Sequence, residues 1–269
     1  MPFIEVNETR LFYQETGAGR RTVVLAHGLL LNQHMFEEQI STLYGRYRVI
    51  SYDHRGQGQS DNPPTGEDLD TLTEDAAALI QALCPEPVHF VGMSMGGMVG
   101  LRLAVRYPQL LRSLNLIDTS AAPESFFAQR KYRFLCWATQ FIGVKPFTGI
   151  TMRLMFGKSS FRDETKAELL QQWREYFQNL PVTIVRQIRG VMLRGDFTAE
   201  LAKIKCPTLV ICGEEDSTTP IKYSKQIAKL IPEARLVSVA NAGHCSNLEQ
   251  PSVVNLALIR QFESMDGTV

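Results

Sequence analysis

The sequence predicts an α/β fold in which a mostly parallel, doubly wound sheet carries an inserted helical cap. Strand patterns alternate with helical patterns through residues 22–117, and the same alternation resumes at Cys206. Such alternation builds parallel βαβ units with helices on both faces of the sheet. Residues 121–196 show helical patterns and no convincing strand. We therefore predict an α/β core from residues 1–120 and 197–269, with the helical cap over 121–196.

Local patterns justify each element of this fold. Residues 3–6 and 10–15 alternate in polarity around Asn7-Glu8, which indicates a hairpin that opens the sheet. Short apolar runs rich in Val, Leu, Ile or Phe predict the other strands, over residues 22–26, 49–52, 88–91, 111–117, 208–212 and 235–239. Apolar positions at helical spacing predict helices in the core over 33–43, 72–83, 223–230 and 253–262. The same spacing predicts cap helices over 126–141, 149–156, 164–177 and 182–193.

Composition narrows the class of protein. The 28 basic and 28 acidic residues give zero formal net charge, so nothing argues for nucleic acid or an anionic membrane as a partner. We expect no membrane span and no signal peptide, because no apolar run is long enough and the N-terminus lacks a basic region before an apolar one. The five cysteines lack C-x-x-C spacing, and we expect reduced thiols, a cytoplasmic location, no metal and no cofactor.

A G-x-S-x-G motif lies between a predicted strand and a predicted helix, as Gly92-Met93-Ser94-Met95-Gly96. In this context a serine sits on a sharp turn that lifts its hydroxyl clear of the sheet. The serine backbone is strained there, so its neighbours must be small. The helix that follows also points free N–H groups at the same place. We therefore predict that Ser94 is a nucleophile.

A nucleophilic serine needs a base, and the base needs a partner that fixes its tautomer. Both partners should lie on loops at the carboxyl ends of other strands, where an open α/β sheet places its ligands. His244 follows the last predicted strand, and Asp216 follows the strand before it. Asp216 is preferred because a carboxylate three residues beyond the turn glycine can reach over the sheet. The competing acids are Glu214, Glu215 and Asp118.

The anionic intermediate of such a reaction needs two N–H donors. One should come from Met95, the residue after the nucleophile. The other should come from the loop after strand 22–26, where Leu29 is the best candidate. Both donors act through the backbone. We expect His27 to brace this loop by hydrogen bonding.

Together these residues resemble the α/β-hydrolase superfamily. The motifs that carry the resemblance are His27-Gly28, Asp53-x-Arg55-Gly56-x-Gly58-x-Ser60, Gly92-x-Ser94-Met95-Gly96-Gly97, Gly213-x-x-Asp216 and Gly243-His244. They span nearly the whole chain. The resemblance implies a triad of Ser94, His244 and Asp216, an acyl-enzyme intermediate and a helical cap over the site. It also implies that Arg55 belongs to a structural loop.

The G-x-S-x-G motif, followed along the chain by Asp118-Thr119-Ser120-Ala121, is similar to that of the enol-lactonase-like esterases and lactonases. One departure is His27-Gly28, where the 3-oxoadipate enol-lactonases usually carry Asn-Ser. Haloalkane dehalogenases and epoxide hydrolases are similar but attack with an aspartate, whereas this chain has Ser94 at the position of the nucleophile. The carbon–carbon bond hydrolases tend to have a tryptophan after the catalytic histidine, and here Cys245 follows His244.

The cap composition favours an apolar substrate. Its many aromatic and Met side chains predict packing against the core and, for the remainder, an acyl pocket. The substrate-binding residues we predict are Gly28, Phe134, Trp137, Met155 and Phe156. The cap offers no obvious basic cluster to clamp a dicarboxylate, since we expect a solvated face for Arg130, Lys131 and Arg133.

The sequence therefore favours a serine hydrolase of mainly apolar esters or lactones, such as an acyl-homoserine lactone or a medium-chain ester, with this small molecule as its partner. Three alternatives stay open: a 3-oxoadipate enol-lactonase, a cofactor-free perhydrolase, and a ligand-sensing α/β-hydrolase without turnover. Multiple turnover on nitrophenyl esters would separate an enzyme from a sensor. The sequence carries no prediction of the oligomeric state.

Overall fold

The computed structural model describes residues 3–266 and opens with a β-hairpin. Strand β1 (Phe3–Val6) pairs antiparallel with β2 (Thr9–Thr16). The two turn residues, Asn7 and Glu8, have φ values of 42° and 59°. Two-residue turns with positive φ at both positions match the twist of the flanking strands. The predicted hairpin is therefore confirmed.

Six further strands complete an eight-stranded sheet within the described residues. They are β3 (Thr22–Ala26), β4 (Arg48–Tyr52), β5 (Val88–Met93), β6 (Leu111–Ile117), β7 (Thr208–Gly213) and β8 (Arg235–Val239). The spatial order is β1-β2-β4-β3-β5-β6-β7-β8. The β2–β4 pair is antiparallel, and every pair from β4 through β3 to β8 is parallel. This confirms the predicted mostly parallel sheet.

Helices cover both faces of the sheet. In chain order they are α1 (Glu37–Leu43), α2 (Leu69–Leu83), α3 (Met95–Arg106), α4 (Phe126–Ile142), α5 (Thr148–Met155), α6 (Ala167–Gln178), α7 (Val185–Met192), α8 (Ile221–Leu230), α9 (Ser246–Glu249) and α10 (Pro251–Asp266). Strand β3 shows why two layers are needed, because successive side chains point to opposite faces. Val24 and Ala26 pack into the apolar layer that contains α2 and α3, whereas Val23 and Leu25 pack into the layer that contains α1 and α10.

Helices α4 to α7 lie between β6 and β7, in a segment of residues 121–196 that we call the cap segment. Helix α4 packs on α7, and α5 packs on α6. The division into core and cap at these boundaries stays a prediction. No helix in residues 3–266 is both long enough and apolar enough to cross a bilayer.

The turn from β5 into α3 depends on close backbone approaches. A Cβ atom at Gly96 would overlap the carbonyl oxygen of Ala26 on β3, and one at Gly92 would overlap the carbonyl oxygen of Gly96. At Gly97 it would lie 2.7 Å from the Cβ of Thr119, at the end of β6. The three glycines therefore let α3 begin directly against the sheet.

We expect Gly96→Ala to destabilise the protein by about 1–3 kcal/mol, because an extra methyl group in this packing must push α3 away from β3. Gly149→Ala is the matched control, since it lies in α5 and its Cβ would meet its nearest neighbour at 3.9 Å. That change should be neutral or stabilise by up to about 1 kcal/mol. Urea unfolding measures both. Equal stability of the two variants would contradict this account of the turn.

Candidate active site

Ser94 occupies the turn between β5 and α3 in a strained conformation, with φ 50° and ψ −111°. Its N–H donates to the carbonyl of Ile117 at 2.8 Å, and its own carbonyl accepts the Thr119 hydroxyl at 2.7 Å. The Met98 N–H donates to the same carbonyl at 2.9 Å. Backbone strain of this kind persists where the surroundings over-determine it. The bonds hold the serine so that its hydroxyl projects from the sheet edge.

His244 lies within hydrogen-bond distance of both predicted partners. Its Nε2 is 2.8 Å from the Ser94 Oγ, and its Nδ1 is 2.9 Å from the Asp216 Oδ2. All three side chains are buried. They come from the ends of β5, β7 and β8, so the carboxyl edge of the sheet brings together residues that are far apart in the sequence. This is the arrangement in which a base can withdraw a proton from a hydroxyl.

Asp216 is held by two neighbouring threonines. The N–H groups of Thr218 and Thr219 donate to its Oδ1 at 2.8 and 2.9 Å, and the Thr219 hydroxyl donates to its Oδ2 at 2.8 Å. Burial alone would raise the pKa of Asp216, but His244 and these donors outweigh it, so the pKa is lowered. Neither threonine was predicted to contact Asp216, although an Asp followed by hydroxyl residues before a proline is a signal for a local turn.

The charge of Asp216 acts in turn on His244. Burial disfavours the imidazolium, yet the adjacent carboxylate and its hydrogen bond outweigh burial and raise the pKa of His244 above its ordinary value. An ionised Asp216 accepts a hydrogen bond and does not donate one, so it keeps the His244 proton on Nδ1. Nε2 is then free to accept the Ser94 proton.

The competing carboxylates lie elsewhere. Glu214 is exposed. Glu215 accepts the N–H and the hydroxyl of Ser159 in the cap segment, at 2.9 and 2.5 Å. Glu215 therefore ties the cap segment to the loop after β7, and Asp216 is the acid of this loop that contacts His244.

Glu249 makes a second tie between the cap segment and the loop of His244. Its carboxylate accepts the N–H of Gly243 at 2.7 Å, the N–H of Gly157 at 2.7 Å and the hydroxyl of Ser160 at 2.5 Å. Burial raises the pKa of Glu249 against the effect of these donors. The same carboxylate thus holds both Gly243, the residue before His244, and the Gly157–Ser160 part of the cap segment.

Asp118 is a fully buried carboxylate at the end of β6, with φ 48°. It accepts the Gly213 N–H at 2.7 Å, and the Ser246 hydroxyl and N–H at 2.5 and 3.1 Å. Burial, with the nearby Asp216 charge, raises the pKa of Asp118 to about 8. Asp118 therefore joins the loop that carries Asp216 to the one that carries His244, and it does not replace Asp216.

Asp118, Cys212 and Asp216 have metal-ligand chemistry and offer atoms that all lie within 4.8 Å of one another. Metal ligands must be deprotonated. Burial raises the pKa of both Cys212 and Asp118, and the oxygens of Asp216 already accept bonds from Thr219 and His244. This donor set does not fit a divalent cation.

Leu29 lines the same cavity as Ser94, and Met95 directly follows Ser94 in the chain. The backbone N–H groups of Leu29 and Met95 have no acceptor among the hydrogen bonds of the described residues. The Leu30 N–H donates to the Gln57 Oε1 at 2.8 Å, and the Gln57 Nε2 lies 3.7 Å from the Met95 sulfur. Gln57, for which no role was predicted, therefore contacts both the loop that carries Leu29 and the side chain of Met95.

His27 braces the same loop. Its Nε2 accepts the His54 N–H at 2.9 Å, and its Nδ1 lies 2.7 Å from the Gly28 carbonyl. Burial lowers the pKa of His27, so the neutral ring with its proton on Nδ1 fits both bonds. Gly28 also accepts the Leu31 N–H at 3.2 Å. Gly28 closes the turn beside Ser94 and is not part of the cavity wall. The prediction that Gly28 contacts the substrate is therefore wrong.

An apolar cavity opens above Ser94 and His244, between the core and the cap segment. Seven leucine, isoleucine, valine and methionine residues of the cap segment line it: Leu135, Ile150, Leu154, Met155, Ile188, Val191 and Met192. Phe156, which was predicted to line the pocket, is buried in the apolar layer below and is not on the wall.

The predicted pocket roles of Phe134 and Trp137 are wrong. Both side chains are exposed on the outer side of α4. The cavity side of this helix carries Leu135, Cys136 and Thr139 instead. Because α4 has apolar residues on both sides, composition alone did not show which side faces the site.

Comparison with known proteins places the chain in a family. The model of the alpha/beta hydrolase fold family matches residues 21–251. The chain belongs to this family. Over 265 residues it is 33% identical to AB hydrolase superfamily protein YisY of Bacillus subtilis, which covers 94% of this chain and 95% of YisY. It is 27% identical over 264 residues to a putative carbamate hydrolase RutD of Azorhizobium caulinodans, which covers 96% of this chain and 97% of RutD.

Solved structures of α/β-hydrolases are similar over nearly the whole chain. A thermophilic esterase from Thermogutta terrifontis has a TM-score of 0.90 at 28% identity and covers 98% of both chains. The enol-lactonase from Burkholderia xenovorans scores 0.89 at 25% identity, covering 97% of this chain and 99% of its own. Est816, an N-acyl homoserine lactone degrading enzyme, scores 0.82 at 28% identity, covering 97% and 100%. This α/β-hydrolase therefore resembles esterases and lactonases.

We expect Asp118→Asn to change how stability depends on pH. Because the folded-state pKa of Asp118 is raised to about 8, the wild type loses stability as pH rises from the ordinary Asp pKa through 8. The neutral amide removes that loss. Relative to the wild type, the variant should gain stability between pH 5 and pH 8, measured by urea unfolding.

Asp163→Asn is the matched control, because hydrogen bonds to Thr165 lower the pKa of this exposed carboxyl and keep it ionised at both pH values. Its effect on stability should be the same at pH 5 and pH 8. A stability difference for Asp118→Asn that is also independent of pH would contradict the raised pKa.

Proposed function

We propose that this α/β-hydrolase is a serine hydrolase of carboxylic esters or lactones with mainly apolar acyl groups. The observation that carries the proposal is the 2.8 Å contact between the Ser94 Oγ and the His244 Nε2 at the base of an apolar cavity. A polar nucleophile and base that meet at the floor of an apolar pocket suit a substrate with one reactive carbonyl and an apolar chain.

In the proposed reaction, His244 accepts the Ser94 proton as Ser94 attacks the ester carbonyl. The N–H groups of Leu29 and Met95 stabilise the negative oxygen of the tetrahedral intermediate. His244 then donates the proton to the leaving alcohol oxygen as the carbonyl–oxygen bond breaks, which leaves an acyl group on Ser94. Water attacks the acyl-enzyme as His244 accepts its proton. His244 then returns this proton to the Ser94 Oγ as the bond between that oxygen and the acyl carbon breaks, and the acid is released. Asp216 stabilises the imidazolium throughout.

The charges in the cavity favour an apolar acyl group over a dicarboxylate. Arg194 is the permanent cation among the lining residues. Its Nη2 lies 3.1 Å from the Glu124 carboxylate, and its Nε donates to the Ala122 carbonyl at 3.0 Å. The charge is therefore already paired, so we rank a 3-oxoadipate enol-lactone below an acyl-homoserine lactone or a medium-chain ester. The similar structures include an esterase, an enol-lactonase and an N-acyl homoserine lactone degrading enzyme, so the ranking rests on the charges in the cavity.

A cytoplasmic location and a small-molecule partner complete the proposal. All five cysteines are free thiols, as expected in a reducing compartment. A ligand-sensing protein or a perhydrolase would carry the same triad. Multiple turnover would distinguish an enzyme from a sensor, because a sensor would bind the ester and release at most one product molecule for each site. Peroxide-dependent oxidation of a carboxylic acid in preference to ester hydrolysis would identify a perhydrolase.

Ser94→Ala should lower kcat on 4-nitrophenyl esters by at least roughly 10⁴-fold, because it removes the nucleophile. Unfolding temperature should change little, since the side chain loses one oxygen at the cavity floor. Ser120→Ala is the control, because its buried hydroxyl accepts the Ala122 N–H and contacts no triad residue. Near wild-type turnover by Ser94→Ala would overturn the assignment.

Leu135→Trp should shift kcat/KM toward short acyl chains, because the larger side chain fills the cavity. We expect the ratio of the octanoate to the acetate ester to fall roughly 10- to 100-fold. Phe134→Trp is the matched control on the adjacent residue, since this side chain faces away from the cavity. Its ratio should equal that of the wild type. The same shift in both variants would contradict the proposed acyl pocket.

A further inference from the structure

The outer side of α4 exposes large apolar side chains. We call this the α4 outer face, and define it as Phe126, Phe127, Phe134, Trp137, Phe141 and Ile142, which are 55–84% exposed. Ring centroids of Phe134 and Trp137 lie 5.9 Å apart, and those of Trp137 and Phe141 lie 5.1 Å apart. At 3.6 residues per turn, the five aromatic residues fall within an arc of about 100°. The rings form two groups along this side of the helix, Phe126 with Phe127 and Phe134 with Trp137 and Phe141, and Arg130 lies in the turn between them. Exposed apolar patches of this kind mark interaction sites.

The opposite side of the same helix already serves the catalytic cavity, through Tyr132, Leu135, Cys136 and Thr139. The α4 outer face therefore contributes nothing to that cavity. It is an independent surface one helix thickness away, about 10 Å.

The charge around this surface has one sign. Residues 125–162 contain seven basic residues and no Asp or Glu, although the whole chain has 28 of each sign. Arg130 lies over the Phe126 ring, 5.7 Å from its centroid, and Lys131 and Arg133 are exposed beside it. Zero net charge of the chain thus conceals a cationic cap segment. The expectation that no anionic membrane is a partner rested on that average.

We propose that the α4 outer face docks on an anionic lipid surface. A helix with aromatic residues on one face and Arg and Lys beside them lies in the plane of the lipid headgroups, with its rings among the acyl chains. Anionic headgroups neutralise Arg130, Lys131 and Arg133. Together with the proposed function, this orientation holds the acyl cavity close to a lipid surface, where apolar esters partition.

The same charges disfavour a second copy of this chain as the occupant. Pairing two α4 outer faces would bring two copies of Arg130, Lys131 and Arg133 together, and α4 itself carries no Asp or Glu to neutralise them. A lipid surface supplies both the apolar phase and the opposite charge, and it needs no matching shape. The proposal is accordingly a peripheral contact of α4.

The test measures binding of the full-length protein to vesicles by co-sedimentation and tryptophan emission. Trp137 is exposed and Trp173 is buried, so a blue shift reports burial of Trp137. Vesicles that mix phosphatidylglycerol with phosphatidylcholine should bind the protein and shift the emission. Pure phosphatidylcholine vesicles should bind it at least roughly ten-fold more weakly, and high salt should weaken binding to the anionic vesicles.

Arg130→Gln/Lys131→Gln/Arg133→Gln should weaken vesicle binding roughly 100-fold, because it removes the attraction of three cations to the anionic headgroups. Phe134→Ser/Phe141→Ser should weaken it at least roughly ten-fold, from the lost apolar burial. The matched controls are Lys222→Gln/Lys225→Gln/Lys229→Gln on α8 and Val253→Ser/Leu256→Ser on α10, which change exposed side chains outside the cap segment. Both controls should bind as the wild type does.

Four results would overturn the proposal: no binding to anionic vesicles, equal binding to both vesicle types, equal losses in the α8 control, or a wild-type dimer that Phe134→Ser/Phe141→Ser dissociates. The wild-type comparison between vesicle types needs no variant, so a variant that fails to fold does not block the test. Ester hydrolysis is not a readout here, and a failure of the proposed catalytic activity would leave these binding results intact.

Discussion

The strained backbone of Ser94 is the constraint on which the rest of the site depends. A non-glycine residue at positive φ is costly, by about 1–3 kcal/mol, and it persists here because three packed elements leave no relaxed alternative. Gly96 brings α3 against the Ala26 carbonyl, and Thr119 bonds the Ser94 carbonyl from the end of β6. The parallel sheet therefore does more than support the serine. Its packing holds the hydroxyl at the edge where the loops of β7 and β8 also end.

Buried carboxylates organise those loops. Asp216 orients His244, Asp118 joins the two loops from below, and Glu249 ties the His244 loop to the cap segment. Each accepts several N–H or O–H groups, which offsets the cost of burial. Consequently the histidine that contacts Ser94 is positioned by the core and the cap segment together, and the cavity wall keeps a fixed relation to the reacting atoms.

Much of this arrangement could be predicted from the sequence. A nucleophilic serine needs a base and an acid on loops that follow other strands, and few residues in those loops are of the right type. Ser94, Asp216 and His244 are those residues, and the structure brings them together. The roles of Thr219 and Gln57 were not predicted, and Asp118 was expected only as a competitor of Asp216, since their hydrogen bonds depend on loop geometry that no periodicity encodes. Phe134 and Trp137 were misplaced for a different reason: α4 is apolar on two sides, and only the packed helix shows which side meets the cavity.

We propose that backbone strain and hydrogen bonding position Ser94 as a nucleophile and that His244 activates it. Reaction of the wild-type protein with a 4-nitrophenyl alkylphosphonate, followed by peptide mass spectrometry, tests it directly. We expect one phosphonate adduct, on Ser94, at a rate that falls as pH drops through a His244 pKa above the ordinary 6.5. No adduct, an adduct on another residue, or a rate independent of pH would contradict it.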